Sequence, residues 1–360
     1  MPHQPALDQP AATRQGEELP AEQLGAYLRA HIPGLEAPLT IEQFPGGFSN
    51  LTYLLRAGTR EMVLRRPPFG ANIRGGHDMA REYRILSHLL PVYPKVPRPL
   101  LFCDDPAVLG APFYVMARVT GVILRTQLPP GIAFGSDGMR PLCLTLINTL
   151  AELHAIDYTA AGLADIGKPT GYTARQVNGW AGRYRAARTD TLPALEHAAE
   201  WLSTHLPPEI PATLIHNDYK YDNVVLDPSD LARIIAVLDW EMATLGDPLT
   251  DVGTSLAYWM EPGDPAVLRS FGLSSQPGNL DRREWVTHYA TQSGRDTANI
   301  LFYFVYGLFK NAVIIQQIYA RYQQGHTHDA RFAGLGAMVA AYGQMAARAI
   351  AQGRIERLFE

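Results

Sequence analysis

Two stretches constrain this chain more than any other feature: His216-Asn217-Asp218-Tyr219-Lys220-Tyr221-Asp222-Asn223 and, downstream, Leu238-Asp239-Trp240-Glu241. Between them lie Val224-Val225-Leu226, a turn-like Asp227-Pro228-Ser229-Asp230 and the apolar run Ile234–Leu238. Short β-rich runs around a Pro/Asp/Ser cluster predict an antiparallel hairpin. In that hairpin Asn223 precedes the first strand and Asp239 follows the second, so both side chains fall at one open end. Asp218 enters the same mouth. Two carboxylates and an amide suit a hard, oxygen-ligated cation such as Mg²⁺. Zinc is a poor match, because no Cys or additional His keeps the spacing it needs.

The bulk of the chain bounds what can surround this mouth. Its 360 residues are enough for two domains or lobes. A composition 47% hydrophobic and 18% charged supports a sizeable core. The net charge of −4 argues against nucleic acid as the main partner, since backbone binding wants a basic excess. Cys103 and Cys143 make no disulfide framework, which points to a reducing, cytoplasmic setting. Residues 1–21, rich in Pro, Gln, Ala and Glu and without an apolar signal-like run, read as a disordered tail. The most apolar stretch, Leu301–Ile318, is interrupted by Lys310, Asn311 and two glutamines, which favours a buried helix and no membrane partner.

After a first helix near Glu22–Ile32, strands are expected at Ile41–Phe44, Leu51–Arg56 and Glu61–Arg65. The loop Pro45–Asn50 carries Gly46 and Gly47, whose backbone can approach an anion without Cβ interference, and Ser49 adds a hydroxyl; the same residues also make an ordinary hairpin loop. Folding the next two strands about Gly58 brings Arg65 opposite Thr52. A helix over Met79–Leu90 sets Glu82 on a different phase from Met79, Tyr83, Leu86 and Leu90, where it is either solvated or paired with Arg65. Pro91, Pro94, Pro97 and Pro99 read as an irregular connection, and Pro112–Ala117 as a buried strand. Beyond Thr120-Gly121 the pattern turns helical, apart from the hairpin. The organisation is a β-rich lobe over residues 22–117 and a larger α-rich lobe over 118–360.

The pattern His216-x-Asp218-x-x-x-x-Asn223, followed by Asp239 after a hairpin, resembles the catalytic and metal-binding loops of the protein-kinase-like fold. Leu238-Asp239-Trp240-Glu241 and Gly246–Asp251 are similar to the aminoglycoside phosphotransferase and choline kinase-like enzymes, where protein kinases carry Asp-Phe-Gly. Gly46–Tyr53, Val63–Pro68 and Arg81-Glu82-Tyr83 resemble the branch related to acyl-CoA dehydrogenase-associated kinase domains. The likeness runs from about Ile41 to Tyr322 and implies an α+β, bilobal fold.

What the resemblance implies for function is an ATP- and Mg²⁺-dependent kinase of a small hydroxylated molecule, with a hydroxyacyl-CoA-like or aminoglycoside-like acceptor. Asp218 would orient or deprotonate the acceptor hydroxyl, and Lys220 would reach the γ-phosphate. Asn223 and Asp239 would hold Mg²⁺. Arg65, oriented by Glu82, would pair the phosphates under Gly46, Gly47, Ser49 and Asn50, while Met116 and Ala117 would meet the adenine. Arg65 stands where protein kinases have Lys, and keeps a permanent cation. Asn217 stands where these enzymes usually have Gly. His216, Asp247 and Asp251 are expected to support loops, the two aspartates fixing the segment after Asp239. Glu241, Tyr221, Trp259 and Lys310 are candidates for the acceptor side, and Arg183, Arg185 and Arg321 for an acyl-CoA-like acceptor. A catalytically weak nucleotide-binding scaffold is the other reading, and protein phosphorylation a minor third.

Overall fold

The computed structural model describes residues 9–44, 50–70, 77–129, 132, 134, 136–270, 272–325 and 330–360. In chain order, α1 (Ala21–His31) leads to β1 (Leu39–Gln43), β2 (Leu51–Ala57), β3 (Arg60–Arg66), α2 (Met79–Leu89), β4 (Pro99–Cys103), α3 (Pro106–Leu109) and β5 (Phe113–Ala117). Next come α4 (Ser136–His154), α5 (Tyr172–Ala187), α6 (Pro193–Thr204), β6 (Thr213–Ile215), β7 (Val224–Asp227), β8 (Asp230–Val237) and β9 (Thr244–Gly246). The chain ends with α7 (Pro248–Tyr258), α8 (Ala266–Arg269), α9 (Arg282–Ser293), α10 (Ile300–Gln323) and α11 (Leu335–Gln352). The class is α+β, bilobal, with a sheet-rich unit and a larger helical one.

The sheet unit gathers the described residues up to Ile123 together with Thr159–Leu163 and Val224–Met242. It thus reaches past the expected boundary at residue 117 and takes in the β7–β8 hairpin. Its five strands run β1-β2-β3-β5-β4, every neighbouring pair antiparallel. Thr52 sits opposite Arg65, as the turn at Gly58 requires. Side chains alternate across a strand. Leu64, Met62, Tyr53 and Val115 therefore join Leu24 and Leu28 of α1 in one core. Arg65 is left on the opposite face of β3, where it meets α2.

Three expectations for this unit are corrected. Residues 9–20 are not disordered: Ala11 exchanges two backbone hydrogen bonds with Gln43 and Tyr53 Oη donates to the Glu17 carbonyl. The Ala11–Gln43 pair satisfies backbone groups at one end of the outer edge of β1. Glu82 is in phase with the buried stripe of α2, alongside Met79, Ile85, Leu86 and Leu89. The 3-4-3 spacing of positions 79, 82, 86 and 89 follows one helix face, and the charge at 82 disguised it. Pro99 starts β4; Pro is tolerated there because the strand lies at the sheet edge. Gly46, Gly47 and Ser49 lie outside the described residues.

In the hairpin, Val224 faces Val237 and Asp227 faces Asp230. Leu226 also bridges to Val122. Gly121 allows that approach: a Cβ there would stand 2.4 Å from Val225 Cγ1 and 2.5 Å from the Leu226 carbonyl oxygen.

The helical unit is built on α7 and α10. Residues Pro248–Ala257 of α7 are all buried, and α10 buries Phe302–Val313 without interruption. The two helices touch through glycine. A Cβ on Gly253 would fall 2.0 Å from the Tyr303 carbonyl oxygen, and one on Gly307 2.1 Å from that of Gly253. Helix α10 is long and apolar enough to cross a membrane, and 72% of its most apolar window is buried inside the protein, as a core helix requires. Trp180 and Tyr184 are buried as expected, while Trp201 is half-buried. The strands β6 and β9 pair antiparallel, Thr213 opposite Gly246. They end immediately before His216 and Asp247, and so launch the two polar segments from one fixed base.

Candidate active site

In the sheet unit a single cation organises the polar groups. Arg65, with its side chain 9% exposed, donates from Nη1 to Glu82 Oε1 at 2.5 Å and from both Nη atoms to Asp239 Oδ1 at 3.1 Å. Nη2 also reaches Glu241 Oε2 at 3.2 Å. Burial pushes the Glu82 carboxyl up, against the pull of Arg65. For Arg65, burial works against the charge, but Glu82 and Asp239 outweigh it and hold the guanidinium protonated. Among the described residues of this cluster the carboxylates of Glu82, Asp239 and Glu241 outnumber the cations of Arg65 and Arg81, which favours the arrival of a further cation. Arg65 Nε is buried with no hydrogen-bond partner among the described residues.

Asp239 adopts φ 64°, unusual for a non-glycine residue. Its side chain remains 35% exposed and both bonds from Arg65 go to Oδ1. Asn50 donates to Glu241 Oε2 at 2.6 Å, and its Oδ1 lies 2.7 Å from His77 Nδ1. Its amide is therefore engaged with protein groups at the end of the Gly-rich loop. Met116 is buried in β5 opposite Val63, and Ala117, opposite Met62, is half-exposed. Glu241, expected on the acceptor side, belongs to the Arg65 cluster.

In the helical unit the loop His216–Asn223 is pinned from below. Asn217 has φ 67°, the left-handed conformation that glycine adopts freely and Asn tolerates best among the others. That explains how Asn replaces the usual Gly. Asp251 of α7 accepts the His216 N–H at 2.6 Å and the Asn217 N–H at 2.8 Å. His154 Nε2 lies 3.2 Å from the same carboxylate, and its Nδ1 lies 2.7 Å from Tyr289 Oη. Burial lowers the His154 pKa despite Asp251, so the ring is neutral at pH 7; a proton on Nε2 satisfies both contacts. Asp251 thus holds the loop beginning at His216, a correction to its expected place after Asp239. Asp247 caps α7 through the Leu249 N–H and accepts from Tyr303 Oη at 2.6 Å.

Asp218 sits where this clamp delivers it. Its carboxylate accepts Lys220 Nζ at 3.1 and 3.0 Å and Asn223 Nδ2 at 2.9 Å. Burial pushes its pKa up, but the Lys220 ammonium, then His216 and the Tyr258 hydroxyl, outweigh it and leave the group below the usual carboxylate range. Asn223 Nδ2 also donates to the Asp218 carbonyl, so Oδ1 is the atom left to accept or to ligate. Lys220 Nζ lies 4.4 Å from the Tyr258 ring centroid. Lys310, expected at the acceptor, is buried behind the loop and donates to the Asn217 carbonyl at 2.7 Å. Tyr221 and Trp259 do line a pocket, with Lys220, Asp222 and Tyr258. Arg183 stacks over Trp180 on α5 at 4.5 Å, with Arg185 on the same helix and Arg321 on α10 exposed.

Sequence reasoning brought together Arg65 with Glu82, and Asp218 with Lys220 and Asn223. It missed Tyr258, Tyr172 and His154, each of which reads as an ordinary helical core residue. The Asp247-Pro248-x-x-Asp251 spacing was the available signal for the loop clamp: Asp247 caps the helix, and Asp251 follows one turn later.

A five-stranded antiparallel sheet with a buried Arg–Glu pair, joined to a helical unit bearing His-x-Asp-x-x-x-x-Asn, defines a protein-kinase-like phosphotransferase fold. The chain belongs to the phosphotransferase enzyme family, whose model matches residues 40–286. It is similar to acyl-CoA dehydrogenase family member 11 of Rattus norvegicus, 35% identical over 311 residues that make up 84% of this chain and 40% of that protein. Acyl-CoA dehydrogenase family member 10 of Mus musculus is 35% identical over 326 residues, 88% of this chain and 30% of the relative. The chain therefore spans well under half the length of these two relatives. Among solved structures, a candidate aminoglycoside phosphotransferase from Ralstonia eutropha superposes with a TM-score of 0.80 at 29% identity, covering 93% of this chain and 99% of the other.

Proposed function

We propose that this chain transfers the γ-phosphoryl group of ATP to the hydroxyl of a small molecule with the help of Mg²⁺. The observation that carries the reading is the set around Asp218: an ionised carboxylate held by Lys220 and Asn223 on a loop clamped by Asp251. Phosphoryl transfer asks for positioning and charge neutralisation more than for a strong base. A carboxylate held below its usual pKa suits that division, orienting the acceptor hydroxyl and taking its proton late.

The residue types fit a hard cation: the accessible Asp239 carboxylate in the sheet unit and the Asn223 Oδ1 in the helical unit are each an oxygen ligand of the kind Mg²⁺ takes. When bound, Mg²⁺ neutralises charge on the phosphate oxygens. Arg65 would contribute its fixed charge to the phosphates, with Glu82 holding the guanidinium in place. Lys220 would shift part of its charge from Asp218 toward the transferring group. Tyr221 and Trp259 are offered as walls for the apolar part of the acceptor.

The relatives are named for acyl-CoA dehydrogenases, and an acyl-CoA ester bearing a hydroxyl is the form a kinase could phosphorylate, so hydroxyacyl-CoA esters are the first acceptors to try, with aminoglycosides as the comparison. The test is incubation with ATP, Mg²⁺ and a pool of alcohols, aminoglycosides and hydroxyacyl-CoA esters, followed by mass spectrometry. A phosphorylated acceptor that depends on Mg²⁺ supports the reading. ATP consumption without any phosphorylated acceptor contradicts it.

A further inference from the structure

Lys310 is the anomaly of the helical core. It sits in α10 between Phe309 and Asn311, 2% exposed, in the most apolar helix of the chain. Burying an ammonium costs several kcal/mol unless its donors are satisfied, and an apolar residue at this position would cost nothing of the kind. Its Nζ donates to the main-chain carbonyl of Asn217 at 2.7 Å. Burial lowers its pKa to about 8, opposed by the charges of Asp218 and Asp251.

The carbonyl it grips is informative. Asn217 holds a left-handed conformation that costs a non-glycine residue about 1–2 kcal/mol. Each of its polar groups is tied down separately. The N–H goes to Asp251, the side chain exchanges with Tyr172 Oη at 3.1 Å, and the carbonyl goes to Lys310. That carbonyl belongs to the planar peptide whose N–H is Asp218's own, and this N–H points to His216 Nδ1 at 3.3 Å. Fixing the carbonyl fixes the plane from which the Asp218 side chain departs.

We propose that Lys310 is a positioning residue, a buried cation that locks the 217–218 peptide and so aims Asp218 at the acceptor. Its kinetic consequence rests on the phosphotransfer reading; its hold on the loop does not. Asp251 holds the two preceding peptides through the His216 and Asn217 N–H groups, so the loop is gripped on either side of the Asn217 Cα by one charge of each sign, from α7 and from α10.

The experiment uses the full chain, with Lys310→Met keeping the length of the side chain without its charge and Lys310→Arg restoring a cation. Hydrogen exchange followed by mass spectrometry reads the amides of residues 216–223. In Lys310→Met their exchange should rise about tenfold while α7 and α10 stay protected, as expected for a local opening. In turnover, kcat should fall at least about tenfold with KM for ATP within about twofold, since a misaimed Asp218 weakens the transition state and spares nucleotide binding. Lys310→Arg should recover part of both. Unchanged exchange at 216–223, or unchanged kcat in Lys310→Met, overturns the proposal. Should Met impair folding, Lys310→Gln, which keeps a shorter donor, is expected to show intermediate exchange, and wild-type exchange in that variant overturns it equally. If the wild-type chain phosphorylates nothing, the functional reading falls, while the exchange measurement still decides whether Lys310 holds the loop.

Discussion

Replacing Arg65 by Met probes the electrostatics of the sheet unit directly. The guanidinium serves Glu82 at 2.5 Å, Asp239 at 3.1 Å and Glu241 at 3.2 Å. Asp239 and Glu241 keep some contact with solvent, but the Glu82 side chain is 2% exposed. Stranding one buried charge by removing its partner costs about 3–5 kcal/mol. Met fills much of the same space, so little of that loss is packing. The second half of the test removes the stranded charge. Adding Glu82→Leu to Arg65→Met should return about 2–3 kcal/mol, a coupling of the size found between groups in direct contact. The sign with pH follows from burial, which raises the Glu82 pKa even with Arg65 present. Without Arg65 the folded state holds the Glu82 proton more tightly than the unfolded chain. The deficit of Arg65→Met therefore narrows as pH falls into the ordinary carboxylate range and widens above it. Urea unfolding followed by circular dichroism and by tryptophan fluorescence measures this, Trp240 being buried in the same unit with its indole N–H on the Val237 carbonyl. A loss under about 1 kcal/mol for Arg65→Met, or a double variant no more stable than the single, refutes the argument.

Asp251→Asn sets an amide NH₂ against one of the two backbone N–H groups that the carboxylate accepts, at a cost of about 2–4 kcal/mol. Burial raises the Asp251 pKa, but the hydrogen bond with His154, then the backbone N–H of His216, outweigh it and leave the group lowered. Its contribution is therefore present above the unfolded carboxylate pKa and lost as pH falls through the folded one; melting temperatures should show that acid limb in the wild type and a flatter profile in Asp251→Asn. Asn217→Gly should retain stability to within about 1 kcal/mol, whereas Asn217→Val should lose about 2 kcal/mol or more by forcing a β-branched residue to φ 67°. Gly253→Ala drives a methyl into the Tyr303 carbonyl and should cost about 3 kcal/mol in chemical denaturation, while Gly182→Ala, where nothing lies within 4 Å, should be neutral or stabilising.

Where local rules and packing agree, the sequence is readable. The β2–β3 register followed from one positive-φ glycine and strict alternation, and Thr52 does face Arg65. Helix α10 announced itself by its apolar run, and its interruptions at Lys310, Asn311 and Gln316 turn out to be buried polar groups. The failures have equally local causes. Glu82 reads as lying off the buried face because a charge breaks an apolar pattern, yet its burial is what secures Arg65. The strands β6 and β9 are three residues each, too short to show a period, although they anchor both polar segments. Residues 9–20 look disordered by composition, yet Ala11 pairs through the backbone with Gln43 of β1 and Tyr53 holds the Glu17 carbonyl, contacts to which composition is blind. The clamp of Asp251 and Lys310 on Asn217 joins residues 34 and 93 positions apart in the chain, a closeness created only by the crossing of α7 and α10.

The role proposed for Asp218 is to direct phosphoryl transfer to a hydroxyl. Its most direct test compares the wild-type chain with Asp218→Asn, which keeps the shape of the side chain and the bond to Asn223 Nδ2. Both are incubated with ATP, Mg²⁺ and the acceptor that scores highest in the pool, and phosphorylated product is quantified by mass spectrometry alongside ATP affinity by calorimetry. Asp218→Asn should lose kcat by about a thousandfold or more with ATP affinity within about threefold of the wild type. Product formation by Asp218→Asn at the wild-type rate would contradict it.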